Sequence, residues 1–240
     1  MAPNDPITNE MIDEAERFAA AADIPGQARR WCAMAAAERG DYKAAERFAE
    51  ASDDPGLARR WCAEAAAERG DYKAAERFAV ASNHTGLAHR RCAMAAAGLG
   101  DYDVAERFVN VSEDPSLARQ LCAEIAARHG DYEVAERFAA ASDDPGKARR
   151  WCAEGAVRGA VCGGDYKVAE RFAAASDKPG QARRWCAVEA AGRGHYDLAE
   201  RFAEASDDPD EARVWCVYAA AERGDAAAAE RFRKKINGTK

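Results

Sequence analysis

The chain has 240 residues, of which 61 are alanine and only 22 are valine, isoleucine or leucine. A core made of alanine requires helices, because alanine is the best intrinsic helix former and small side chains meet only where backbones approach closely. The 35 basic and 42 acidic residues leave a formal charge of −7, which excludes the basic footprint of a general nucleic-acid binder.

Residues 1–22 open the chain with a half-repeat or cap, a single helix ending near Ala22. Their first ten residues lack the basic and apolar regions of a secretion signal. No run approaches the roughly 18 apolar residues of a membrane span, so the expected compartment is the cytoplasm. From residue 23 to residue 223 the sequence repeats itself. Cys32, Cys62, Cys92, Cys122 and Cys152 recur every 30 residues, followed by Cys186 and Cys216. The phrase Glu-Arg-Phe returns eight times, from Phe18 to Phe232. Self-similarity at such a period marks stacked supersecondary units.

Residues 53–82 show how one unit is punctuated. Asp54 and Pro55 are an N-cap and a first helical residue, so helix A runs from there to about Arg69. Gly70 supplies a left-handed stop, and Asp71 caps helix B, which runs to about Ala81. Spacing at 100° per residue puts Ala58, Cys62, Ala65, Ala66 and Arg69 on the buried side of helix A, with Arg60, Glu64 and Ala67 opposite and Trp61 at the border. On helix B, Tyr72, Ala75, Phe78 or Ala79 and Ser82 face inward, while Lys73, Arg77 and Val80 face out. Neither helix carries enough apolar surface to fold alone, which is the logic of a solenoid. Four extra residues in the segment 155–164 predict a longer helix A in that repeat, with Gly155, Gly159 and Gly163 along one small-residue edge. Residues 224–240 form a capping helix and tail, in which Ala226 replaces the recurring tyrosine and the helix ends in Arg233, Lys234 and Lys235. The expectation is one all-α domain over residues 1–240, about fifteen helices in seven hairpins plus the leading half-repeat.

The phrase Gly70-Asp71-Tyr72 with Ala75, present also at Gly40–Ala45, Gly100–Ala105, Gly130–Ala135 and Gly164–Ala169, resembles the turn and second helix of a tetratricopeptide repeat. Asp54-Pro55 and Arg59 resemble, more weakly, short HEAT-like repeats. The resemblance implies a right-handed α-solenoid that binds a protein or peptide along a concave helix A surface.

Candidate chemistry is sparse. Equivalent cysteines stand roughly 9–10 Å apart given ordinary helix spacing, beyond disulfide reach, and read as small buried apolar side chains. Cys162 stands outside the ladder as a candidate exposed thiol. His84, His89, His129 and His195 lack metal-ligand spacing and read as surface residues. No phosphate loop or nucleophile elbow is present, so no catalytic residue, metal or cofactor is expected. Arginine outnumbers lysine 27 to 8, and arginine pairs precede Trp-Cys, as in Arg59-Arg60. These guanidinia serve a structural role, pairing with Glu64 four residues on or with the glutamate of Glu-Arg-Phe, or they hold carboxylates of a partner.

The candidate partner strip joins the second arginine of each pair to the residue two after the cysteine. It comprises Arg30 with Met34, Arg60 with Glu64, Arg90 with Met94, Gln120 with Glu124, Arg150 with Glu154, Arg184 with Val188, and Val214 with Tyr218. The position two after the cysteine varies while its surroundings recur, which fits either drift at an exposed position or a tuned binding surface. The expected function is a non-enzymatic protein or peptide scaffold whose partner carries acidic groups. RNA held through backbone phosphates and a self-associating solenoid are the other readings left open.

Overall fold

The computed structural model describes residues 9–159 and 166–238; Cys162 and Gly163 lie outside them. All regular structure in the described residues is helical, in fifteen helices. A short leading helix α1 (Asn9–Ala21) is followed by alternating A and B helices. The A helices are α2 (Pro25–Glu38), α4 (Pro55–Glu68), α6 (Thr85–Gly98), α8 (Pro115–His129), α10 (Pro145–Gly159), α12 (Pro179–Gly192) and α14 (Pro209–Glu222). The B helices are α3 (Tyr42–Glu50), α5 (Tyr72–Val80), α7 (Tyr102–Asn110), α9 (Tyr132–Ala140), α11 (Tyr166–Ala174), α13 (Tyr196–Glu204) and α15 (Ala226–Gly238). The chain is an all-α solenoid of repeated helical hairpins, divided into two compact units, Met1–Ala118 and Arg119–Lys240.

The hairpin of α4 and α5 shows how the turns are closed; Asp41 caps α3 in the same way, while Asp101 makes no side-chain cap bond to α7 and His195 replaces the aspartate before α13. Helix α4 ends in a Schellman turn: Gly70, at φ +77°, donates to the carbonyl of Ala67, and Asp71 N–H donates to Ala66. Only a residue without Cβ adopts that left-handed angle at low cost. Asp71 then caps α5, its carboxylate accepting from Ala74 N at 3.1 Å. The return turn is equally regular. Ser82 Oγ donates to the Ala79 carbonyl at 2.8 Å, and Asp54 accepts from Leu57 N at the start of α4 with Pro55 next to it.

Within the first unit, α2, α4 and α6 lie side by side, α3 and α5 each pack on their own A helix and on the A helix that follows, and α7 packs on α6. The second unit repeats this with α10, α12 and α14. Ala58, Cys62, Ala65 and Ala66 are buried as the angular count predicts. Two assignments need correction. Ala67, placed on the open side, is fully buried with Ala63, because the next A helix packs there: Cys92 Sγ reaches the Ala63 carbonyl at 3.5 Å. Arg69, placed inside, is exposed, its guanidinium donating back to the Glu38 carbonyl at 2.8 Å. An A helix is thus covered on three sides, and its open direction is displaced toward Trp61 and Glu68.

On helix B, Ala75, Phe78, Ala79 and Ser82 are buried and Val80 is exposed as read, while Tyr72 is only half-buried and Ala74 joins the buried stripe. The tyrosine opening one B helix meets the phenylalanine of the next edge-on, as in Tyr42 with Phe78 and Tyr72 with Phe108 in the first unit and Tyr196 with Phe232 in the second. Phe18 in α1 is left 71% exposed.

Tight packing makes the second residue of helix A sensitive to size. A Cβ at Gly146 would stand 2.7 Å from Asp177 Cβ and 2.8 Å from its backbone nitrogen, whereas one at Gly98 meets nothing within 4 Å. Gly146→Ala is expected to destabilise the protein by about 1–3 kcal/mol. Gly98→Ala is expected to stabilise it by roughly 0.5–1 kcal/mol. Urea unfolding of the two variants beside the parent checks both signs.

Candidate functional site

The first arginine of each pair is a fastener. Arg59 Nε donates to Glu46 at 2.7 Å, Arg149 to Glu136 at 2.9 Å, Arg183 to Glu170 at 2.8 Å and Arg213 to Glu200 at 2.9 Å. Arg29 holds Glu16 likewise at 2.9 Å. In these five bridges the partner is thirteen residues back, in Glu-Arg-Phe of the preceding helix, so each bridge ties that helix to the A helix that follows. Most of these pairs are partly buried; Arg213 and Glu200 are 8% and 5% exposed. In the third repeat His89 takes the arginine's place. It was expected at the surface but is buried against Phe108, with Glu76 4.0 Å from Nε2 and neither ring nitrogen hydrogen-bonded. It takes the fastener's place in the repeat, beside Glu76 and Phe108.

The candidate strip lies in the seams between neighbouring A helices rather than on an open face. In the first unit Arg30 faces Asp53 at 3.4 Å and lies 5.8 Å over the Trp61 ring. Met34, Arg60, Arg90 and Met94 are half-buried. Glu64 does not pair with Arg60 four residues back; it reaches Arg91 of the next helix at 3.5 Å, since the seam brings the two helices together. In the second unit Arg150 meets Asp177 at 3.6 Å and Gln181 at 2.9 Å, and Arg184 meets Glu211. Val188 is half-buried, while Val214 and Tyr218 are exposed. Gln120 departs from the expectation altogether, being 4% exposed with its Oε1 unpaired.

The open crest of the A helices is one residue before the cysteine. Trp31, Trp185 and Trp215 are 52%, 44% and 47% exposed. Trp31 lies 5.3 Å from Trp61 with the rings tilted at 38°, and Trp215 lies 6.0 Å from Tyr218. Lys147 stands 5.2 Å over Trp151. Angular counting missed this column because it set the open direction opposite the cysteine. The recurring Trp-Cys pair was the available signal. On the B side, open notches such as the one lined by Tyr42, Lys43, Glu46, Arg47, Glu50 and Arg77 alternate in charge.

Arg158 was also missed. It donates to Glu124 at 2.5 Å and Glu189 at 3.0 Å, with Glu154 at 3.7 Å, gathering three carboxylates from α8, α10 and α12. Gly155 and Gly159 let α10 approach α8 this closely; a Cβ at Gly155 would stand 2.5 Å from the Glu124 carbonyl oxygen. Helix α10 is fifteen residues long against fourteen for α4, within the described part of the insertion. Burial pushes the Glu154 carboxyl up to about 7; Arg158 opposes the shift, and Glu124 and Glu189 reinforce it.

The cysteines other than Cys32 and Cys162 are buried and free, and desolvation pushes Cys62, Cys92 and Cys216 up to about 12. They are thiols at neutral pH and pack as small apolar groups. Among the described residues no His, Cys, Asp and Glu group could hold a metal ion, and no helix is long and apolar enough to cross a membrane.

No protein-family model and no curated protein matches the chain. It is similar to a solved structure described as a circular tandem repeat protein with novel repeat topology and enhanced subunit contact surfaces. The two share 20% identity over 95% of this chain and 47% of that one, at a TM-score of 0.16. The chain thus spans about half that protein's length, and the fold assignment rests on its own helices.

Two predictions follow from the ionic geometry. Arg213→Met leaves Glu200 buried without its main partner, and should lower unfolding free energy by about 3 kcal/mol; the same change at the more exposed Arg59 should cost less in urea titrations. Glu154 is raised above its unfolded value near 4.5, so it contributes stability that is fully present below pH 4.5 and is lost as pH rises through about 7. The Glu154→Gln variant should therefore show a smaller fall in stability between pH 5.5 and pH 8 than the parent.

Proposed function

We propose that this protein is a non-enzymatic scaffold that docks an extended protein or peptide segment along the crest and seams of its A helices, in a tetratricopeptide-like manner. The observation that carries the reading is the aromatic side chains left exposed at one helix position, Trp31 in the first unit and Trp185 and Trp215, with Tyr218, in the second. Large aromatic side chains left half in water on one repeated helix position are what partner surfaces use as anchors. Arg60 and Arg90, half-buried in the seams without an ion pair, suit acidic groups on the same segment. A cytoplasmic setting is supported by the free thiols. RNA is the weaker reading, because phosphates would have to displace Asp53, Asp177 and Glu211 from Arg30, Arg150 and Arg184.

The test is selection of a random peptide library on the immobilised protein, followed by calorimetry of enriched peptides. Light scattering at each concentration checks that the protein keeps its 25.9 kDa monomer mass. Trp31→Ala in one unit, or Trp185→Ala with Trp215→Ala in the other, should weaken an enriched peptide by about tenfold or more. No enrichment, or affinities indifferent to all three tryptophans, would overturn the reading.

A further inference from the structure

The seam arginines of the first unit are not equally satisfied. Arg30 faces a carboxylate, Asp53 of the turn before the next A helix, and an aromatic ring, Trp61. One repeat later both partners change. The turn residue equivalent to Asp53 is Asn83, and the ring position is taken by Arg91. Arg60 accordingly has no ion pair, and the repeat register sets it against a second guanidinium. Arg90, next to Arg91, also has none. The acid that answers this cluster is Glu64, 3.5 Å from Arg91 and 32% exposed in its side chain.

Arg60 and Arg91 against Glu64 leave a local excess of positive charge on a protein whose total is −7, while Arg90 has Glu113 at its own turn, against Gly86. Trp61 follows Arg60 in α4, and Met94 lies three residues after Arg91 in α6; both are half-buried. A half-buried guanidinium without an anion is costly compared with one that has found its carboxylate, and its fork geometry fits a carboxylate bidentately. Repulsion between Arg60 and Arg91 is relieved by an anion placed between them.

The geometry points to an acid-reading subsite: Arg60 and Arg91, with Arg90 beside them, hold a glutamate or aspartate side chain of an extended peptide, whose neighbouring apolar residue lies on Trp31 and Trp61. The missing occupant is the carboxylate that Asp53 supplies to Arg30 and Asn83 does not supply to Arg60. This inference rests on the docking reading above and adds the chemistry that one repeat selects.

The test uses two fluorescein-labelled nonapeptides, one of alternating glutamate and leucine and one of alternating glutamine and leucine, titrated by anisotropy at low salt. The parent should prefer the glutamate peptide by about tenfold, as expected for charge-assisted bonds to one carboxylate. Arg60→Gln with Arg91→Gln should abolish the preference. Arg30→Gln, which removes an arginine already ion-paired with Asp53, should leave it within about twofold, and Asn83→Asp should reduce it by filling the subsite internally. Circular dichroism of each variant establishes that the helices are intact. Equal affinity for both peptides, lost in Trp31→Ala, would overturn the acid-reading subsite while leaving the docking surface in place. Failure of both peptides to bind, or a preference surviving in the Arg60 and Arg91 double variant, would overturn it too. If labelled oligouridylate bound in place of the glutamate peptide and was lost in that double variant, the subsite would be a phosphate site and the inference would also fall.

Discussion

Everything in this structure depends on how closely alanine lets helices approach. An A helix presents Ala58, Cys62, Ala63, Ala65, Ala66 and Ala67 to its surroundings, all buried, and none of these side chains reaches far from its own backbone. Contact therefore requires the backbones themselves to come near, which explains why glycine stands at Gly56 and Gly146, where the following turn presses on the helix. Such surfaces remove modest apolar area per residue, so a single hairpin is marginal and neighbouring hairpins supply one another's stability. The bulky anchors are few: one buried phenylalanine per B helix, under the tyrosine of the hairpin before it.

Small, smooth surfaces bring a second problem, since alanine meeting alanine distinguishes poorly between one register and the next. Directional groups resolve it. The bridge from Arg59 to Glu46, repeated from Arg149 to Glu136 and from Arg183 to Glu170, joins each B helix to the A helix that follows at one relative position. Its partly buried setting makes a misplaced guanidinium expensive. The Schellman turn and its aspartate cap do the same for the short connection within a hairpin. Packing supplies the area, and hydrogen bonds and ion pairs select the arrangement.

This division explains what could be read from the chain and what could not. Turn chemistry is local, so Gly70, Asp71, Asp54 and Pro55 announce the helices and their ends nearly to the residue. Helix B has one buried side, and periodicity finds it. Helix A is covered on three sides, and periodicity around a single axis cannot say from which direction the third neighbour comes; Ala67 and Arg69 were misplaced for that reason, and the crest was sought opposite the cysteine rather than at Trp31 and Trp215. His89 shows a related limit. Its type suggests a surface residue, but its place in the repeat is that of a fastening arginine, and the register proved the better guide. Arg158 was illegible because its three carboxylates come from three helices spaced by the close approach that Gly155 and Gly159 permit.

Variation along the repeats then acquires a physical meaning. A substitution at the fastening arginine or at the small residues changes whether neighbouring hairpins pack, so those positions repeat. A substitution in the seam or on the crest changes which groups face outward while the alanine contacts beneath stay intact. Replacing Asp53 by its counterpart Asn83, and Trp61 by its counterpart Arg91, leaves the helices where they were and turns a neutralised seam into a positively charged one. The opposite happens around Glu124, Glu154 and Glu189, where three acids share Arg158. One backbone plan thus carries locally basic, acidic and aromatic stretches, each adjustable by exchanging one or two side chains per repeat. Because the groups that set charge are not the groups that set packing, the surface can be retuned at little cost to the fold.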